Sequence, residues 1–179
     1  MTSTAVTPIT LEEFSQLANL EESPAWELLD QSIVQKPMPT IDHSRLQKRL
    51  VAAIDQANGP YEAFPELRCV LTQQSIVPDV VVISPTQIPK QNAPVSGAPD
   101  WLIEILSPDQ STTKLIAKIQ TCLQEGTQLG WLIDSQEKIV MVFQPHQPLQ
   151  LMTAEESLPV LPNLDLQLTP TLIFAWIAS

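Results

Sequence analysis

Two stretches decide how this chain folds: Ile76-Val77-Pro78-Asp79-Val80-Val81-Val82-Ile83 and Pro99-Asp100-Trp101-Leu102-Ile103-Glu104-Ile105-Leu106-Ser107-Pro108. Both are short, rich in β-branched residues and interrupted or bounded by proline, and both are apolar at successive rather than alternate positions. Strands covered on both faces have that pattern. Outward from them the period changes. Leu46, Leu50, Val51, Ile54 and Ala57 recur at three- and four-residue spacing and predict a helix over Asp42–Asn58, ending at Gly59-Pro60. Leu115, Ile119, Cys122 and Leu123 do the same for a helix over Ser111–Glu125, with Gly126 as its stop. Thr10-Leu11-Glu12-Glu13 is a capping box that opens a first helix, and Thr169-Pro170 opens a closing one over Thr171–Ala178. Trp26–Asp30 and Ser32–Lys36 read as two strands about a turn that lacks Asn-Gly or Asp-Gly. Leu67–Leu71, Trp131–Asp134, Ile139–Gln144 and Leu149–Met152 read as further strands. The order α-β-β-α-β-β-β-α-β-β-β-α predicts an α/β domain on one mixed β-sheet flanked by helices.

The 179 residues amount to a single domain, with 44% apolar and 16% charged residues, a composition that folds. Twenty acids against nine bases give a net charge of -11 and a pI of about 4.4. Sequence-independent nucleic-acid binding rests on a Lys/Arg excess, and this balance argues against it. Seventeen prolines punctuate the chain, and four glycines are too few to write a phosphate-cradling loop. The N-terminus shows no basic segment followed by an apolar one, and the longest apolar runs are strand-sized. The expected location is therefore cytoplasmic, with no membrane span. Cys69 and Cys122 form no Cys-x-x-Cys pattern and read as two buried thiols.

Two acids lie where acids are disfavoured. Glu104 interrupts an apolar strand, and a carboxylate there must be paired, solvated or bound to metal. Asp79 follows Pro78 and opens Val80–Ile83. If the two strands are neighbours, both carboxylates converge on one point, as they do around hard divalent cations. The alternative is that Asp79 caps a turn and Glu104 pairs with Lys118 or Arg68 for structural reasons.

Pro78-Asp79-Val80-Val81-Val82, Pro99 through Pro108, Lys118 and Gly130-Trp131-Leu132-Ile133-Asp134, in that order, resemble the Uma-type (Uma-two) family of restriction-endonuclease-like proteins in the PD-(D/E)XK nuclease superfamily. Trp26-Glu27-Leu28-Leu29-Asp30 and the helix at His43-Ser44 extend the resemblance over nearly the whole chain. It implies a restriction-endonuclease-like core at 41–145, an N-terminal helix and β-hairpin addition at 1–40, and C-terminal strands and a helix at 146–179, all in one domain. It also implies Mg²⁺, or Mn²⁺, held by Asp79 and Glu104, with DNA as the substrate. The metal would polarise a phosphate and lower the pKa of an attacking water, and a lysine would orient that water. The superfamily's strand lysine is missing, because Leu106 stands two residues after Glu104. The family resemblance puts Lys118 of the following helix in its place, with Lys114 one turn earlier on the same face. Gln31 stands where the hairpin of the family commonly has glycine.

His43 begins the second helix and could touch a phosphate or a water, although a lone histidine there is more often a surface or capping residue. Glu27 is a metal-adjacent acid by resemblance or a partner in a structural salt bridge. Glu66 and Arg68 flank Leu67 on one strand face, where a cross-strand ion pair is the default. Trp26, Trp101 and Trp131 read as core residues. The leading function is a Mg²⁺-dependent endonuclease acting on DNA. The other is a catalytically inactive nuclease-fold protein that serves as a protein-interaction module, which the acidic charge and Leu106 favour. A homodimer is compatible with a nuclease that cuts both strands. Residues 1–30 hold six acids and no Lys or Arg, whereas residues 31–120 hold eight of each sign. The negative charge thus belongs mostly to the flanks, and the expected DNA engagement is weak and salt-sensitive rather than absent.

Overall fold

The computed structural model describes residues 8–178. Helix α1 (Leu11–Ser15) carries the expected capping box: Thr10 Oγ1 accepts from Glu13 N–H, and Glu13 Oε2 accepts from Thr10 N–H. Strands β1 (Trp26–Leu29) and β2 (Ser32–Gln35) form an antiparallel hairpin. Its turn residues Asp30 and Gln31 both have positive φ, 47° and 62°. A two-residue hairpin turn requires that conformation whether or not a glycine is there to adopt it. Helix α2 (Ile41–Gln56), capped by Thr40, buries His43, Leu46, Leu50 and Ile54.

The expected single sheet is instead two. A six-stranded sheet runs β11-β10-β9-β8-β6-β3, and a five-stranded one runs β2-β1-β5-β4-β7. The large sheet is built from β3 (Glu62–Pro65), β6 (Val80–Ile83), β8 (Trp101–Ile105), β9 (Leu129–Asp134), β10 (Ile139–Phe143) and β11 (Gln150–Met152). Within it only β8 and β9 are parallel. The small sheet joins the hairpin to β4 (Cys69–Val70), β5 (Ser75–Ile76) and β7 (Val95–Ser96). The separation begins inside the first decisive stretch. Pro78 has no N–H to give a ladder, so the chain leaves β5 in the small sheet and enters β6 in the large one through Val77-Pro78-Asp79. Strands β3 and β7, whose short sequences carry no clear periodicity, were not apparent from the sequence.

Strands β6 and β8 are buried at every position, as their unbroken apolar runs require. Leu46, Leu50 and Ile54 of α2 pack with Val80, Val82, Trp101 and Ile103 on one face. Helix α3 (Thr112–Gln124) packs Leu115, Ile119 and Cys122 with Val81, Ile83, Leu102 and Leu132 on the other. Alternation along a strand puts Glu104 on the same face as Leu102, toward Lys118 of α3. Helix α3 approaches β9 closely at Gly130, where an added Cβ would lie 2.5 Å from Ile119 Cγ2. Trp101 and Trp131 meet edge to face in the core, with ring centroids 4.6 Å apart, while Trp26 is half-buried. Cys69 and Cys122 are buried thiols, each pushed up to about 12 by loss of solvent. The closing helix α4 (Pro170–Ala175) has Pro170 in its first turn and Thr169 as its cap.

Candidate active site

The Val77-Pro78-Asp79 crossing between the sheets organises the site. Val77 N–H donates to Glu27 Oε1 at 2.6 Å, and Val77 C=O accepts from Lys36 Nζ at 2.8 Å. Both partners come from the hairpin, so the crossing is clamped from one side. From the other side the Asp79 carbonyl accepts from Gln47 Nε2 of α2 at 2.8 Å and from Glu66 N–H at 3.2 Å.

The Asp79 carboxylate is bonded through both oxygens. Oδ1 accepts from Lys36 Nζ at 2.7 Å. Oδ2 accepts from Ile105 N–H at 2.7 Å and lies 3.1 Å from His43 Nε2. Since Ile105 adjoins Glu104, the two acids singled out from sequence do stand side by side at neighbouring strand ends. Burial works against the Asp79 charge, but Lys36 and His43 more than reverse it and hold the carboxyl well below its ordinary range.

Glu104 projects from the penultimate position of β8 and is 1% exposed. Its Oε1 lies 2.6 Å from Lys118 Nζ, an ion pair whose angles fall outside hydrogen-bond alignment. Burial pushes Glu104 up to about 7, with Lys118 opposing the shift and Asp79 adding to it. Lys118, reaching from α3, also donates to Glu27 Oε1 at 2.6 Å. Burial alone would lower the pKa of its ammonium, but the carboxylates of Glu104 and Glu27 raise it above the ordinary lysine value. Lys36 follows the same pattern: burial lowers it, and Asp79 followed by Glu104 drives it back up past the ordinary value. Three carboxylates, two ammonium groups and an imidazole from five separate segments thus meet in a mutually compensated cluster.

Of the residues expected at the site, Asp79, Glu104, Lys118 and Glu27 are brought together, and Glu27 is indeed in a salt bridge, with Lys118. His43 departs from the surface reading: it is buried against Asp79, because the first turn of α2 packs over the crossing. Lys114 is exposed and stays outside the buried cluster, on the wall of a cleft of about 290 Å³ lined also by Glu27, Gln35, Lys36, Asp109 and Ser111. Glu66 and Arg68 both lie outside the strands, and each meets an opposite charge from another segment. Arg68 bonds Glu21, Ser75 and the carbonyls of Leu20 and Trp26, while Glu66 lies 3.7 Å from Lys36. The residue missed from sequence is Lys36. One signal was available, since it is the first basic residue of the chain and ends a strand of the hairpin that also carries Glu27.

The donor set suits a hard divalent cation in kind, offering two carboxylates that such ions take together with water. Glu104 Oε1 has the Lys118 ammonium at 2.6 Å as its partner. Among the described residues, however, no group of three metal-ligating side chains stands preassembled. The carboxylates are held by lysines in this arrangement. No helix among these residues is long and apolar enough to cross a membrane.

A family model named Uma2 and described as "Putative restriction endonuclease" matches residues 11–171. A crystal structure from Anabaena variabilis, of a protein titled a "putative nuclease belonging to DUF820", superposes with a TM-score of 0.88. The two sequences are 40% identical, and the match covers 95% of this chain and 99% of that one. No curated protein matches.

Proposed function

Because the chain belongs to the Uma2 restriction-endonuclease family and has its nuclease fold, we propose that it is a Mg²⁺-dependent endonuclease that hydrolyses DNA phosphodiester bonds. The observation that carries this reading is the juxtaposition of Asp79 and Glu104, joined through the Ile105 amide, with Lys118 directly on Glu104. Asp79 and Glu104 would hold the cation. When bound, it would polarise the phosphate and make a nucleophilic hydroxide available near neutral pH.

The remaining work falls to the chain's own residues. His43 and the Ile105 amide fix the Asp79 carboxylate through Oδ2, and Lys36, which lines the cleft, holds Oδ1. Lys118, tied to Glu27, fixes the Glu104 carboxylate and opposes its protonation. Lys114 on the cleft wall supplies positive charge toward a phosphate backbone. The acidic flanks make DNA binding weak and salt-sensitive. A second reading, an inactive fold kept as an interaction module, is favoured by one observation: the carboxylates are already paired within the protein.

Incubation of the purified chain with supercoiled plasmid and Mg²⁺ or Mn²⁺ separates the two. Cleavage by wild type that is lost in Asp79→Asn and Glu104→Gln supports the nuclease. Absence of cleavage with both metals, or cleavage that survives both substitutions, rejects this site.

A further inference from the structure

Lys36 occupies the oxygen that a cation would need. Asp79 Oδ2 is committed to the Ile105 amide and to His43, both on ordered backbone or packed side chain. Oδ1 is the other oxygen, and Lys36 Nζ holds it at 2.7 Å. The two buried lysines are not equivalent. Lys118 rises from mid-helix with its side chain 1% exposed and is held by two carboxylates at 2.6 Å, Glu27 and Glu104. Lys36 stands just past the end of an edge strand on a four-carbon stem, and it lines the cleft. Its ammonium reaches the cleft by giving up Asp79 Oδ1 and the Val77 carbonyl.

Building on the metal-dependent reading above, we propose that Lys36 is a resident counter-ion of Asp79 that competes with the divalent cation for Oδ1. Metal entry requires Lys36 to let go of Asp79. In the metal-free protein the ammonium pairs the Oδ1 side of the buried carboxylate, and the same contact lowers the protein's affinity for the ion. A purely structural Lys36 would behave in the opposite way, since its removal would loosen the crossing and weaken metal binding.

The test is Mn²⁺ titration of the full chain by calorimetry and electron paramagnetic resonance, using wild type, Lys36→Met and Asp79→Asn. Lys36→Met should bind Mn²⁺ at least about tenfold tighter than wild type, because a like charge within a few ångströms of the ion is gone. Asp79→Asn should abolish the site. In parallel, wild type is dimethylated at its amines with and without saturating Mn²⁺ and mapped by mass spectrometry. Lys36 should become more reactive with metal, while Lys118 stays protected. Unchanged or weaker binding by a folded Lys36→Met, or Lys36 labelling that ignores Mn²⁺, overturns the proposal. If that variant does not fold, the labelling of wild type decides. Binding that requires Asp79 but is not tightened in Lys36→Met removes this role alone. No binding to wild type, or binding indifferent to Asp79→Asn, removes the metal-site reading and this inference with it.

Discussion

Replacing Lys118 by Met would take away the ammonium in contact with Glu104 and leave two buried carboxylates, Glu104 and Glu27, short of a partner. Each contact is 2.6 Å long and joins side chains that are 1%, 2% and 6% exposed. At an effective dielectric constant of about 20, one such pair is worth about 6 kcal/mol of attraction. Most of this offsets desolvation already incurred, and breaking a buried pair costs a net ~3–5 kcal/mol. Domains of this size are stable by ~5–15 kcal/mol, so the variant should lose roughly a fifth or more of its stability at pH 7.5. Its pH dependence is the sharper reading. The folded-state pKa of Glu104 is raised above the unfolded value, so the folded state binds the extra proton and stability falls as pH rises through that window. In wild type the window closes near 7. Without Lys118 it extends upward, and the variant should go on losing about 1.4 kcal/mol per pH unit from pH 7 to pH 9, where this group leaves wild type flat. Urea denaturation in EDTA at half-unit pH steps measures both slopes. Equal stability at pH 7.5, or parallel slopes above pH 7, would refute the claim that Lys118 neutralises Glu104. Lys118→Met/Glu104→Gln should recover part of the loss, as coupling between touching residues demands.

Two further outcomes follow from backbone and packing. Gly130→Ala drives a methyl group to 2.5 Å from Ile119 Cγ2, so it should destabilise the domain by ~1–3 kcal/mol and lower the thermal midpoint. Because Ile119 adjoins Lys118, plasmid cleavage by the folded variant should fall too; full activity at wild-type stability would contradict the close seating of α3 on β9. Gln31→Gly relieves a non-glycine residue at φ 62° and should raise stability by up to about 1 kcal/mol in the same urea assay. A loss on that substitution would mean that the Gln31 side chain supports the hairpin turn.

Much of the fold was legible because burial writes itself into local pattern. The unbroken apolar runs at Val80–Ile83 and Trp101–Ile105 marked the doubly covered strands, and the three- and four-residue spacing of Leu46, Leu50 and Ile54 marked α2. Proline at 78 and an acid at 104 marked the site, since neither belongs in a buried ladder without a reason. Pairing in space leaves no such trace. Nothing local to Lys36 distinguishes a lysine that ends a strand in solvent from one that turns inward onto Asp79. His43 likewise reads as a surface histidine until α2 is laid across the sheet crossing.

From the sequence alone followed the class of fold and the strands that carry the two acids, because both depend on residue type and period within a few turns of chain; the family resemblance offered the lysine of α3. Tertiary structure alone decided that the strands form two sheets, that the chain passes between them through Asp79, and which cation neutralises which acid. Those outcomes depend on hydrogen bonds and charge pairs between residues 14 to 91 positions apart, and at that separation the partner is chosen by packing rather than by neighbouring sequence.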